Sequence, residues 1–257
     1  MINPLYSLAG VFVGILVGFT GVGGGSLMTP LLILAFGFHP VTAVGTDLLY
    51  ASITKTAGTA VHGFSGTVDW KVVRRLATGS IPATALTLLV LAYAGKKFDG
   101  TEHVITVALG LALIATAISM VFRRQILVHF ERAVDRLTPE RIARSTVALG
   151  AVLGVLVSLS SVGAGAIGMT VLLVLYPTLP INRLVGSDIA HAVPLTLVAG
   201  LGHWAMGSVD FGLLASLLVG SIPGIVIGSL LSSRVPERIL RPILAGTLAI
   251  VGGKLIF

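Results

Sequence analysis

The sequence has no cysteine, so neither a disulfide framework nor thiolate chemistry is open to it. Charge is scarce too. Lys, Arg, Asp and Glu make up 11% of the 257 residues, against about 25% in soluble globular chains. Aromatic residues are few, at 6%, whereas glycine is plentiful at 32 residues. With 55% hydrophobic residues and a mean hydropathy of +1.01, the composition excludes an ordinary water-soluble domain. Uncharged stretches of about 18 residues or more are what a bilayer core of about 30 Å asks of a helix. Abundant glycine fits helices packed through small faces, because lipid provides no hydrophobic drive for helices to meet. The net charge of +7 would point to nucleic acid in a soluble protein. Here it fits basic loops held at the cytoplasmic face, and no nucleic-acid partner is expected. No basic residue precedes the apolar run that begins at Leu5, so no cleavable signal is expected.

Apolar blocks cover roughly residues 5–38, 42–64, 72–94, 103–122, 145–176, 184–206, 211–231 and 239–257. The first is interrupted by Gly21-Val22-Gly23-Gly24-Gly25, and the fifth by Ser160-Ser161-Val162-Gly163-Ala164-Gly165. A polar, arginine-bearing segment occupies 123–144. The order of features before it recurs after it. Gly10 and Gly14 answer Gly150 and Gly154, and Val22-Gly23-x-Gly25 answers Val162-Gly163-x-Gly165. Val44-Gly45-Thr46-Asp47 answers Val185-Gly186-Ser187-Asp188, and His62 with Asp69 answers His203 with Asp210. Gly79-Ser80-Ile81-Pro82 returns letter for letter as Gly220-Ser221-Ile222-Pro223. The offset is 140 residues in the first block and 141 afterwards. An internal duplication of this kind is common among secondary transporters.

These features predict an all-α integral membrane protein, a duplicated bundle of about four helical segments per half. The first segment of each half is broken at a glycine-rich turn and is either re-entrant or two-pass. Residues 1–122 form the first repeat, 123–144 a cytoplasmic polar loop, and 145–257 the second repeat. As one helix, residues 5–38 would reach about 50 Å, more than a membrane needs. If this segment crosses once, the halves are parallel and the basic residues split ten against six across the membrane. If it turns back, the halves are inverted and the split becomes thirteen against three. The stronger asymmetry favours inverted repeats, with both termini outside.

A helix broken inside a membrane leaves backbone donors that face protein, water or a ligand. The helix N-termini after the breaks, near Ser26 and Ala166, suit an oxyanion, and glycine lets the backbone approach it closely. Gly23, Gly24, Gly25, Ser26, Gly163 and Gly165 are therefore candidate substrate-binding positions, against a simpler role in tight packing or a kink. The Thr46 and Ser187 hydroxyls are candidates to line the same site. Asp47 and Asp188 read as structural or proton-handling groups, since a carboxylate is a poor ligand for an anion. Lys55 is charged well inside an apolar block, where charge is costly and a functional suspect. It either neutralises an anion, pairs with a carboxylate, or snorkels to a boundary. Free histidine titrates near neutrality, so His62 and His203 are candidate proton acceptors, or else bond to carbonyls at the interface. Asp69 and Asp210 read as helix N-caps, and Pro82 and Pro223 as kinks. No metal, cofactor or catalytic residue is assigned.

Gly-x-Ser-x-Gly, His-Glu-x-x-His and a phosphate-binding loop ending in Gly-Lys-Ser/Thr are all absent. The run Gly18-Phe19-Thr20-Gly21-Val22-Gly23-Gly24-Gly25-Ser26, followed by Val44-Gly45-Thr46-Asp47 and Gly79-Ser80-Ile81-Pro82, resembles the TauE/SafE sulfite exporter family. The resemblance extends over nearly the whole chain. It implies a multi-pass permease of a bacterial or archaeal inner membrane, with sulfite, an organosulfonate or a related sulfur-containing anion as substrate. The second half departs from the fuller glycine run, which puts an equal contribution of the two halves in doubt. Besides export, the sequence is compatible with an uptake permease for an organosulfonate. An intramembrane metal-dependent enzyme using His62, His203, Asp47 and Asp188 is the reading from another class, and a non-transporting membrane scaffold a third. Cysteine-accessibility labelling at residues 3 and 257 is expected to modify both from outside the cell. Labelling from the cytoplasmic side alone overturns the inverted arrangement.

Overall fold

A computed structural model describes residues 2–20, 25–64, 66–97, 101–134, 137–231 and 237–256. Among them there is no strand, and the chain runs from helix to helix. Helices α1 (Pro4–Thr20) and α2 (Gly25–Leu34) flank the first glycine run and are followed by α3 (Pro40–Phe64), α4 (Trp70–Lys97) and α5 (Thr101–Val121). Then come α6 (Arg123–Val134), α7 (Pro139–Ser160), a π-turn (Ala164–Gly168), α8 (Met169–Leu175), α9 (Ile181–Ala205), α10 (Phe211–Leu231) and α11 (Glu237–Ile256).

Local chemistry explains several of the ends. Pro40 and Pro139 open α3 and α7, where a fixed φ helps and the missing N–H is not needed. Asp69 and Asp210 stand just before α4 and α10, as expected of N-caps. Asp69 Oδ1 accepts from the backbone of Lys71 and Val72, and Asp210 Oδ1 from that of Leu213. Helix α7 stops where Ser161 takes a left-handed conformation, with φ of 59°, and Gly163 follows at 118°. The carbonyl of Gly163 then accepts from both Ile167 and Gly168, which winds the next turn as π rather than α. The polar segment 123–144 differs from the expected loop, because most of it is helical. Helix α6 turns away from α5 by 71°. By helical spacing Ile126, Leu127 and Phe130 share one side of α6, and Arg124 lies off it.

Among the described residues three helices are long and apolar enough to cross a membrane: Trp70–Ala94, Pro139–Ser160 and Ile181–Ala205. The bent pair Thr106–Val121 and Arg123–Phe130 makes a fourth if it is one span. Pro4–Val17, Ala164–Leu175 and Phe211–Ile227 are shorter apolar helices. Polarity is distributed as lipid requires. Leu86, Leu89, Tyr93, Leu111, Ile118 and Ile250 are exposed, while Thr46, Asp47, Lys55, Ser80, Ser187, Asp188 and His191 are buried.

Helix α1 packs on α10, α4 on α7, α3 on α9 and α5 on α11. The first two pairs meet backbone to backbone. A Cβ on Gly10 or Gly14 of α1 would fall on the carbonyl of Leu217 or Ser221 in α10. A Cβ on Gly150 or Gly154 of α7 would likewise fall on the carbonyl of Leu76 or Ser80 in α4. From the opposite side, Gly220 abuts Ser7 and Gly79 abuts Val147. Such approach is open to glycine alone and suits helices in lipid, whose association rests on close packing. Gly79→Ala and Gly220→Ala are each expected to lower stability by about 1–3 kcal/mol, the range for overpacking. Gly246→Ala, where a Cβ meets nothing within 4 Å, is expected to be neutral or mildly stabilising. Thermal unfolding in detergent checks all three, and equal shifts would refute the packing account.

Candidate functional site

The buried polar groups converge where α3 faces α9. Helix α3 contributes Thr46, Asp47, Tyr50 and Lys55, and α9 contributes Ser187, Asp188, His191 and His203; all are buried. Asp188 and His191 are three residues apart, so they share a face of α9, as Asp47 and Tyr50 share one of α3.

Thr29, from α2, donates to Asp47 Oδ2 at 2.5 Å. The other carboxylate oxygen of Asp47 has no hydrogen-bond partner. Ser161, in the break after α7, approaches this carboxylate, although its own hydroxyl makes no well-formed hydrogen bond. Asp188 lies at the far end of the π-turn, where a Cβ on Gly168 would sit 3.1 Å from its Oδ1. That oxygen also lacks a partner. Both carboxylates therefore border the second break, one at each end.

Lys55 is only 6% exposed and lies within electrostatic reach of Asp188, Asp47 and His191. Among the described residues its ammonium has no ion pair within 4 Å and no hydrogen bond. His191 Nε2 is 2.8 Å from the hydroxyl of Ser80, and its Nδ1 has no partner. Tyr50 occupies the position 141 residues earlier and sits beside Ser221, the counterpart of Ser80. His203 Nε2 donates to the carbonyl of Ser158 at 2.9 Å, so that nitrogen carries a proton.

Thr46 and Ser187 are engaged differently from a ligand contact. Thr46 Oγ1 accepts from the backbone N–H of Asp210 at 3.0 Å, and Ser187 Oγ accepts from that of Asp69 at 2.8 Å. Ser187 also donates to the carbonyl of Arg183 at 2.6 Å. Each hydroxyl anchors the loop that caps a helix from the other half of the sequence. Gly45 and Gly186, one residue earlier, bring α3 and α9 against the carbonyls of Ser208 and Thr67 in those same loops.

Of the remaining expected residues, Gly163 precedes the π-turn and Gly165 is buried within it. Gly25 and Ser26 open α2. Gly23 and Gly24 lie outside the described residues, as do the side chains of Ser26 and His62. Among the described residues, no group of three His, Asp or Glu is placed to hold a metal ion. Tyr50, Ser80, His191 and Ser221 escaped the reading of the sequence. The signal was present, because Ser80 and Ser221 lie in the repeated tetrapeptide and His191 follows Asp188 by three.

The model of the family described as sulfite exporter TauE/SafE matches residues 6–255. The chain belongs to the TauE/SafE family. It is similar to the probable membrane transporter protein YjnA of Bacillus subtilis, 42% identical over 97% of this chain and 98% of that one. It is also similar to YdhB of the same organism, a probable membrane transporter protein, 29% identical over 95% and 96% of the two chains. A third relative is the probable membrane transporter protein MJ0441 of Methanocaldococcus jannaschii, 24% identical over 98% and 94%. No solved structure matches it. As a TauE/SafE protein it is a membrane transporter, and its apolar helices lie in a bilayer.

Thr46→Val and Ser187→Ala each strand a backbone donor at a helix start. Each is expected to lower stability by about 1–3 kcal/mol, the cost of an unpaired buried polar group. Thermal melts of the purified variants check this, and wild-type melting of both would contradict the anchoring role.

Proposed function

We propose that this TauE/SafE transporter exports a small sulfur-containing anion, in the first instance sulfite, by alternating access to a site beside the broken segments. The observation that carries the reading is Lys55, a buried ammonium without an ion pair within 4 Å among the described residues. A buried cation without a close counter-charge is costly, and an incoming anion supplies that charge. Gly163 and Gly165 stand at the second break, and Gly23, Gly24, Gly25 and Ser26 are assigned the matching role at the first. Thr46 and Ser187 border the site and, with their hydroxyls held by the caps, contribute placement. An inside-negative potential of about 100 mV favours the departure of each negative charge by about 2.3 kcal/mol. No ATP-binding loop is needed for that.

The same reading takes the protein as two inverted repeats. In its support, α1 on α10 repeats the packing of α7 on α4, and Thr46 with Asp210 repeats Ser187 with Asp69. Two interlocked halves with a central polar site are the arrangement that rocks between inward- and outward-facing states.

The test is labelled-sulfite flux in liposomes under a valinomycin-set potential, with sulfate and taurine as competitors. Saturable, potential-sensitive flux is expected from the wild type. Lys55→Met is expected to lose about tenfold or more, as for loss of one charged contact. Unchanged flux in that variant removes Lys55 from the site, and no sulfite flux from folded wild type removes sulfite as substrate.

A further inference from the structure

The site holds one cation and two carboxylates, and the carboxylates are unequally supported. Asp47 accepts from Thr29 and has Ser161 beside it, so part of its charge is met without Lys55. Asp188 Oδ1 is buried without a hydrogen-bond partner, and Lys55 is a positive charge within reach of the carboxylate. An ammonium that balances one buried carboxylate cannot also balance a substrate anion without leaving that carboxylate bare. A bare carboxylate in a medium of low dielectric takes up a proton instead of remaining charged.

Resting on the anion-site reading above, we infer that an anion bound at Lys55 crosses the membrane together with one proton held by Asp188. The exchange balances without any covalent step. The anion arrives at Lys55, the Asp188 carboxylate accepts one proton from water on the open side, and the pair of negative charges becomes one. On release at the other face the proton leaves with the anion, and Lys55 again faces the ionised carboxylate. The sulfite dianion then carries a single charge and its flux keeps its sensitivity to the potential, whereas a monoanion crosses without net charge.

The groups around Asp188 are compatible with this. Helix α3 presents Lys55, Asp47 and Tyr50, and α9 itself presents His191 one turn away, its Nδ1 unpartnered and its Nε2 at Ser80. His203, further along α9, is turned to the carbonyl of Ser158. The π-turn and α8 bring no charged side chain, and α4 and α7 carry theirs toward their ends, from Lys71 to Arg75 and at Lys96 and Lys97 in α4 and from Glu140 to Arg144 in α7. Thr196 holds the position equivalent to Lys55 in the second half, so the exchange is built once and not twice.

The experiment is calorimetric binding of methanesulfonate, whose charge is constant over the range used, to the purified full chain at several pH values. Repeating each titration in buffers of different ionisation enthalpy counts the protons taken up. About one proton per anion is expected at alkaline pH, with affinity falling by up to about tenfold per pH unit there, because binding draws a proton. Asp188→Asn is expected to bind with no proton uptake and a flat pH profile. Wild-type binding with no proton uptake overturns the coupling and leaves the anion site standing. Proton uptake that persists in Asp188→Asn moves the proton to Asp47 or His191 and overturns the assignment. Absence of binding of both methanesulfonate and sulfite by folded wild type overturns the anion site, and the coupling with it.

Discussion

A positive charge inside a low-dielectric bundle has to be matched by negative charge nearby, and the interior of this protein is arranged around that demand. Lys55 is buried in the middle of α3, with Asp188 across from it on α9 and Asp47 two turns back on its own helix. No other lysine or arginine is buried among the described residues. Thr29 bonds Asp47, and the chain at the second break runs beside both carboxylates. Without the ammonium, two buried carboxylates would repel each other; without them, the ammonium would be stranded.

Holding such a set still in lipid falls to packing, since the surroundings supply no hydrophobic pressure. Glycine contacts bring α1 onto α10 and α4 onto α7 at backbone distance, and of these helices α10 packs on α3 while α4 and α7 pack on α9. The cross-half bonds of Thr46 and Ser187 then tie each central helix to the start of α10 or α4. A displacement of α3 against α9 is therefore felt at the caps of the bracing helices. This couples the centre to the periphery by hydrogen bonds and not by bulk packing alone.

Much of this was legible in the amino-acid sequence, for reasons that differ by element. Solvent class followed from composition, because a bilayer tolerates so little charge. The caps at Asp69 and Asp210 were legible because an Asp ahead of an apolar run has one dominant local use. The roles of Thr46 and Ser187 were not, since a hydroxyl inside a helix can bond in several directions and only the partner loop decides. His191 escaped because its counterpart is Tyr50, and a comparison made letter by letter passes over a pair that shares a position and a partner but not a name. The helix in residues 123–134 was obscured by its charges, which suggest a loop until the apolar residues between them are given a helical period.

The two halves of the sequence differ at the buried cation. Repetition accounts for the frame: the glycine contacts, the caps and the serines of the repeated tetrapeptide all occur in pairs. Lys55 stands opposite Thr196 in that correspondence, and His191 opposite Tyr50. A charged centre cannot be duplicated as easily. A second ammonium at position 196 would need its own counter-charges in the same small volume, and the carboxylates present already serve the first. One buried cation amid paired contacts is thus what charge balance permits.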